Sequence, residues 1–306
     1  MNLTERHYSI LFFVATYYVS IRTLIQAALF PTASRDGAVV RKILNELRHN
    51  GLINKCRGEV VFPGQSGASS VVYYSHPDGL DALASKTGDA SWLSACCRTP
   101  TPQNLLHYLM VAQLHHRLDL AIALQNDVRI ESWIGEHEGR NPKAAKAGLT
   151  TEAMPEEKAT KPEDIFKLFT LLRETPRLVC NPDAGWEIVV GPYRRVMYLE
   201  FDRGTTAARV IAASKTPGFV AMAEQQQHKK LFPNTTFQDF SVLSVSLTPQ
   251  RRDLLRQLIA KRPGAKLWRF VSWTDWVPSK LLFEPIIYTC DGGPMPLVRK
   301  PTGGEK

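Results

Sequence analysis

Near the amino terminus, apolar residues recur first at helical spacing and then at strand spacing. Thr4 is a candidate N-cap for an apolar helix, and after a break at residues 17–19 a second helix is predicted from about Ser20. Residues 52–77 are typical of two short strands around a loop rich in proline, glycine and serine, and residues 78–85 of a small helix. Between them, one face of a third predicted helix carries an apolar stripe of Val39, Val40, Ile43, Leu44 and Leu47.

Three helices followed by a β-hairpin are the element order of a winged helix-turn-helix, which we predict over residues 1–90. Its third helix could enter the major groove of double-stranded DNA while the hairpin lies along the backbone. The candidate DNA contacts are the basic residues of this region, Arg35, Arg41, Lys42, Arg48, Lys55 and Arg57. The alternative is a winged helix that contacts proteins, in which case these cations form a solvated surface.

The second half of the chain alternates between helical and strand patterns. After a predicted linker at residues 91–102, residues 103–295 give the order α-β-β-β-α-β-α-β, which is typical of helices packed against a mixed sheet. The chain is therefore predicted to be an α+β protein. Residues 138–163 break every periodicity and predict a mobile insertion, and residues 296–306 predict a polar tail.

Two finer expectations concern this domain. Residues 165–175, "IFKLFTLLRET", predict a short helix after the insertion. Residues 207–232 are largely helical, with a break expected at Pro217-Gly218 because proline cannot donate a helical hydrogen bond.

Acidic residues concentrate in two strand-like segments that a Gly-Pro turn connects. Asp183 begins the first segment, Glu187 lies along it, and Glu200 and Asp202 alternate along the second. Side chains two residues apart on a strand point to the same face. If the segments form a hairpin, Asp183 approaches Glu200 and Asp202, whereas Glu187 lies nearer the middle and is the weaker candidate.

Clustered carboxylates repel one another unless a cation or a proton neutralises them. Oxygen ligands of this kind suit Mg²⁺ or Mn²⁺, which could promote hydrolysis of a phosphodiester. Asp183, Glu200 and Asp202 are therefore the candidate metal ligands and catalytic residues. The alternative is structural: Asp183 is a turn residue, and the two strand acids pair with nearby arginines, Arg194, Arg195 or Arg203.

The pair Pro182-Asp183, with Glu200 on the following strand, resembles the PD-(D/E)XK nuclease superfamily and its αβββαβ core. That resemblance implies a restriction-endonuclease-like domain. The departure is at position 202, where the superfamily has lysine and this chain has aspartate. The basic residues that could substitute are Arg203, Lys215, Lys229 and Lys230.

Composition favours a polyanionic partner. The 306 residues carry a formal net charge of +9, and a basic excess favours phosphate contacts because they release condensed counterions. The five cysteines are scattered without a CxxC pair, which argues against structural zinc and disulfides and favours the cytoplasm. The apolar residues 8–21 are too few to span a bilayer and predict a buried helix.

Four segments together resemble the replication-relaxation family of plasmid and mobile-element proteins. They are "LTERHYSIL", "HHRLDLAIAL", "NPDA" and "YLEFDRGT" followed by a helix, and the resemblance spans roughly residues 3 to 260. It implies a bacterial protein of replication, relaxation or mobilisation, with double-stranded DNA and replication or relaxosome proteins as partners. A homodimer is also compatible with it.

Two other functions remain open from the sequence. One is an active Mg²⁺-dependent DNA endonuclease or nickase. The other is a winged-helix transcriptional regulator whose second domain senses a ligand or dimerises.

Overall fold

A computed structural model describes residues 2–32, 37–60, 68–140 and 161–299. The chain divides into two compact units, one of Met1–Gln113 with His137–Phe166 and the other of Leu114–Glu136 with Lys167–Lys306. The predicted DNA contact Arg35, most of the predicted insertion and the end of the predicted tail lie outside the described residues. Within the described ranges, no helix has the length and apolar composition needed to cross a bilayer.

The first unit places helices around a small antiparallel sheet with the strand order β1-β3-β2. Its elements are α1 (Glu5–Tyr17), β1 (Val19–Ile21), α2 (Arg22–Leu29), α3 (Ala38–His49), β2 (Ile53–Val60), β3 (Ala68–Ser75), α4 (Pro77–Thr87), the first half of α5 (Leu105–Ala123), and α6 (Pro162–Ile165).

The start of α2 differs from the prediction. Val19–Ile21 is a strand, and Val19 pairs with Tyr74 of β3. The β-branched Val19 and Ile21 favour an extended backbone, and the positive φ of 66° at Tyr18 turns the chain out of α1. The prediction that the second helix begins near Ser20 is therefore wrong, because Ser20 lies in a strand and the helix begins at Arg22.

Helix α3 follows its sequence pattern closely. Val40, Ile43, Leu44 and Leu47 are buried, as the helical stripe predicts, but Val39 is 41% exposed and does not belong to the core. After the helix, Gly51 has a φ of 68°, and the Leu52 amide donates to the carbonyl of Leu47 at 2.9 Å. This is an αL termination, which an Asn-Gly pair after a helix favours.

The second unit is built on a five-stranded mixed sheet with the order β10-β9-β8-β7-β4. Strands β4, β7 and β8 are antiparallel neighbours, and β8, β9 and β10 are parallel. The α+β class with a mixed sheet is thereby confirmed. The elements of this unit are the second half of α5, β4 (Val128–Gly135), β5 (Thr170–Arg173), β6 (Leu178–Cys180), β7 (Ala184–Val190), β8 (Tyr193–Asp202), α7 (Ala208–Glu224), α8 (His228–Leu231), β9 (Ser241–Ser246), α9 (Pro249–Ile259) and β10 (Trp268–Ser272).

Helices α7 and α9 are the crossovers of the parallel strands and pack on one face of this sheet. Tyr198 of β8 and Phe270 of β10 belong to one apolar core with Ala212 and Phe219 of α7. On the other face, Trp133 stacks on Trp186, with ring centroids 5.1 Å apart. Side chains that point alternately to the two faces of each strand are therefore packed on both sides of the sheet.

Two local predictions in this unit are wrong. Thr170–Arg173 forms a strand rather than part of a helix, because it pairs with Leu178–Cys180 as a separate two-stranded sheet. Helix α7 continues through Pro217 without a break. The next residue, Gly218, packs closely on Val179 and Cys180 of β6 and keeps this part of the helix on the sheet.

We predict that Gly218→Ala destabilises the protein, although alanine is normally the better helix former. A Cβ at this position would lie 2.6 Å from the carbonyl oxygen of Val179, so α7 would have to move away from β6. The expected decrease in unfolding free energy is about 1–3 kcal/mol, measured by urea denaturation. Ser214→Ala, at an exposed position of the same helix, is the control and should be neutral or stabilising by about 0.5 kcal/mol. An equal response of the two variants would contradict the close packing of Gly218.

Candidate functional site

The β7–β8 hairpin brings two of the predicted acids together. The register places Ala184 opposite Leu199, and the amide of Asp183 donates to the carbonyl of Leu199 at 3.0 Å. The amide of Phe201 donates to Oδ2 of Asp183 at 2.6 Å, so the Asp183 carboxylate lies alongside the backbone of Glu200. Both acidic residues are buried, each with 7% of its surface exposed.

Lys215 supplies the cation next to this pair. Its Nζ lies 2.9 Å from Oε1 and 2.8 Å from Oε2 of Glu200, and it donates to the carbonyl of Asn181 at 3.2 Å. Lys215 follows the buried Ala212 by three positions and precedes the buried Phe219 by four, so it lies on the face of α7 that packs on the sheet. Lys215 was one of the possible substitutes for the strand lysine, and it does lie next to Glu200.

The electrostatics of the site follow from burial and from crowding of like charges. Burial raises the pKa of Glu200, the carboxylates of Asp183 and Glu136 raise it further, and Lys215 opposes them. Burial also disfavours the charge on Lys215, but Glu200 and Asp183 outweigh this effect and raise the pKa of its ammonium. The ammonium of Lys215 therefore interacts with the charges of both Glu200 and Asp183.

Glu136 is a member of this cluster that the sequence pattern did not single out. It directly follows β4, and its amide donates to the carbonyl of Asp183 at 3.0 Å. Because Gly135 pairs with Ala184 across the β4–β7 ladder, the two acids come to the same edge of the sheet. The sequence showed the acids of the hairpin, but the proximity of Glu136 to Asp183 depends on the pairing of β4 with β7, which the sequence does not show.

Asp202 points to the same face of β8 as Glu200 but has a different partner. Arg251, in the first turn of α9, places Nε 2.6 Å from Oδ2 and Nη2 3.3 Å from Oδ1 of Asp202. The Gly204 amide also donates to Oδ1 of Asp202 at 2.8 Å. The same guanidinium donates to the carbonyl of Thr206, so this ion pair ties the β8–α7 connection to α9.

The other cations near the hairpin do not join Glu200. Arg194 lies 3.3 Å from Glu187, and Lys229 donates to Gln238 at 2.7 Å. Arg203 is half-buried in the connection after β8. Among the substitutes considered for the missing strand lysine, Lys215 is the one in contact with Glu200.

The acidic residues at this edge carry the type of ligand atom that a divalent cation binds. Asp183, Glu200 and Glu136 offer carboxylate oxygens, which are the ligands that Mg²⁺ and Mn²⁺ prefer. Burial raises the pKa of Glu200 and the carboxylates of Asp183 and Glu136 raise it further, and a bound dication would relieve that repulsion. Asp202 is less suited to metal binding because Arg251 already contacts both of its carboxylate oxygens.

The first unit presents a separate basic surface. Arg41 and Lys42 are exposed on the side of α3 opposite its buried stripe. Lys55 and Arg57 are exposed and, being two residues apart, lie on one face of β2. Arg48 is half-buried, and its Nη2 lies 2.7 Å from Nε2 of His49. We call Arg41, Lys42, Lys55 and Arg57 the α3–β2 basic surface.

These features define an α+β protein with a basic helical surface in one unit and a lysine-neutralised acidic cluster in the other. The chain belongs to the replication-relaxation family, whose sequence profile matches residues 13–235. That range includes α3, Asp183, Glu200 and Lys215, and it ends before Arg251. No curated protein and no solved structure matches the chain.

We predict that Arg251→Met lowers the unfolding free energy by about 3 kcal/mol, because it leaves the buried Asp202 carboxylate without its cation. The double variant Asp202→Asn with Arg251→Met should be more stable than the single variant, since the unpaired charge is gone. Denaturant unfolding of the native protein, Asp202→Asn, Arg251→Met and the double variant measures the coupling energy between the two side chains. The exposed Arg209→Met is the control and should stay within about 0.5 kcal/mol of the native protein. Strictly additive effects at Asp202 and Arg251 would contradict a structural role for the pair.

Proposed function

We propose that this chain is a DNA-binding protein of a bacterial plasmid or mobile element that acts in the cytoplasm in replication, relaxation or mobilisation of DNA. The family membership supports the process, and the α3–β2 basic surface is the observation that carries DNA binding. Double-stranded DNA is the proposed partner, together with other replication or relaxosome proteins.

The proposed mode of binding is that of a winged helix. Helices α1, α2 and α3 are followed by the antiparallel β2–β3 hairpin, which is the order that this fold requires. The buried stripe of α3 holds it against the unit, so Arg41 and Lys42 face away from the core, where they would meet the groove of a bound duplex. Lys55 and Arg57 on β2 are placed to contact the DNA backbone beside it.

The double variant Arg41→Ala/Lys42→Ala tests this proposal. Because it removes two cations that contact phosphates, it should weaken binding to duplex DNA and reduce the slope of log affinity against log salt by about 2. Fluorescence anisotropy with a labelled duplex at several salt concentrations measures both effects.

The matched control is Lys280→Ala/Arg299→Ala, which removes the same charge from exposed positions of the second unit. This control should bind duplex DNA like the native protein. A salt slope that does not change in the α3 variant, or that changes equally in the control, would remove α3 from the interface. A single high-affinity site near the protein's own promoter would instead favour a transcriptional regulator.

A second candidate function is metal-dependent cleavage of one DNA strand by a PD-(D/E)XK nuclease-like domain. The contact of Lys215 with Glu200, next to Asp183, favours it because this arrangement restores an acid–acid–lysine set despite the aspartate at position 202. The element order around the site, with β4, β7 and β8 followed by α7 and β9, agrees with an αβββαβ core.

In this function Asp183 and Glu200, with Glu136, would hold Mg²⁺ or Mn²⁺. The ion, when bound, would polarise a phosphate and lower the pKa of an attacking water. Lys215 is placed to stabilise negative charge that develops on the phosphate oxygens. Arg251 would keep Asp202 and the β8–α7 connection in position without touching the substrate.

Glu200→Gln and Lys215→Met test the nuclease proposal. Each is expected to lower the rate of Mg²⁺- or Mn²⁺-dependent nicking of supercoiled plasmid by at least about 100-fold, because each removes a group that acts on the reacting phosphate or its metal. Gel separation of supercoiled and open circular DNA over time gives the rate.

Glu187→Gln is the control, since Glu187 is a buried acid of the same hairpin that pairs with Arg194. It should keep the native nicking rate, and thermal unfolding of all three variants checks that they are folded. Absence of metal-dependent nicking by the native protein, or equal activity of Glu200→Gln, would refute the nuclease function and leave the proposal of DNA binding intact.

A further inference from the structure

Strand β8 begins with a tyrosine and two arginines, Tyr193, Arg194 and Arg195, at the end of the strand distant from the acidic cluster. Tyr193 is 64% exposed and is the one aromatic residue among the large exposed hydrophobic side chains of the described ranges. Arg195 follows two positions later and therefore points to the same face of β8. Its guanidinium lies over the ring of Phe237, 5.4 Å from the centroid.

Hydrogen bonds hold the loop that carries Phe237 against this strand. The Thr236 amide donates to the carbonyl of Arg194 at 3.3 Å, and the amide of Arg194 donates to Oγ1 of Thr236 at 3.2 Å. Thr235 also donates its hydroxyl to the same carbonyl at 3.2 Å. The surface formed by Tyr193, Arg195 and Phe237 is therefore part of the folded sheet edge and does not depend on a ligand for its shape.

Further cations extend this surface. In the sheet register, Arg269 of β10 pairs with Leu243, and Met197 pairs with Ser241, so Arg269 and Arg195 lie on the same face. Burial lowers the pKa of Arg269, and the positive charge of Arg195 lowers it further. Nη1 of Arg269 donates to the carbonyl of Lys266 at 2.9 Å, which places the Lys266 backbone beside them.

The loop also connects this surface to α8. Lys229 donates to Gln238, the residue next to Phe237, at 2.7 Å, and Lys230 is exposed beside it. Asp239 and Asp291 offset part of the charge around Arg269.

We propose that this edge binds single-stranded DNA, with the cations of β8, β10 and α8 contacting phosphates and Tyr193 stacking on a base. Exposed aromatic rings among cations are the usual means of holding single strands, because unpaired bases offer free π-faces that a duplex does not. The inference rests on the proposed function, in which nicking or replication produces single strands. It adds a second DNA surface whose Arg195 lies five positions along β8 from Glu200 and on the opposite face, or about 17 Å away along the strand.

The test is binding of the full-length protein to a labelled oligothymidylate of about 16 nucleotides, measured by fluorescence anisotropy. Tyr193→Ala should weaken this binding roughly tenfold, since one base is left without its stacking partner, whereas Tyr193→Phe should keep native affinity. Lys229→Ala/Lys230→Ala should reduce the slope of log affinity against log salt by about 0.7 for each phosphate that the variant no longer neutralises.

Two variants separate this inference from the proposed duplex binding. Arg41→Ala/Lys42→Ala should bind duplex DNA more weakly and keep native affinity for the oligothymidylate, and Lys280→Ala/Arg299→Ala should change neither. If the native protein binds duplex but not oligothymidylate, or if Tyr193→Ala binds it like the native protein, the single-strand surface is refuted while duplex binding stands. Failure of the α3 variant to bind either ligand would place all DNA binding in the first unit and would also refute this inference.

Discussion

The ammonium of Lys215 lies between the carboxylate of Glu200 and the carbonyl oxygen of Asn181, and the candidate site depends on this contact. It joins α7 to the middle of the sheet at the place where Asp183 and Glu136 add further negative charge. A buried carboxylate without a partner would be costly, so the lysine makes the acidic cluster compatible with a folded core.

Two acids on one strand face have separate roles because two different helices cover them. Glu200 faces α7 and pairs with Lys215. Asp202 faces the first turn of α9 and pairs with Arg251. The Asp202–Arg251 pair also ties down the loop that begins α7, and this loop sets where Lys215 enters the site. Asp202 therefore holds, through Arg251, the connection that leads into the helix carrying Lys215.

Three groups of charged residues in the described part of the chain differ in their chemistry. The α3–β2 basic surface offers cations on a helix and a strand and suits the regular backbone of a duplex. The edge around Tyr193 interleaves aromatic rings with cations and suits unpaired bases. The acidic cluster is buried, lies apart from the Tyr193 edge, and is the proposed metal site. A protein of the replication-relaxation family that handles both duplex and single-stranded DNA would need surfaces of these kinds.

The sequence by itself determined the features that depend on local periodicity. The buried stripe of α3, its αL termination at Gly51 and the alternation of Glu200 and Asp202 along β8 are set by spacing within one element, and the order of elements indicated an α+β fold. The tertiary structure alone decided which charges meet. Lys215 was one of several candidate cations until the packing of α7 selected it, while Glu136 and Arg251 became neighbours of the strand acids only through sheet register and helix crossover. These contacts join residues far apart in the chain, and no local pattern encodes them.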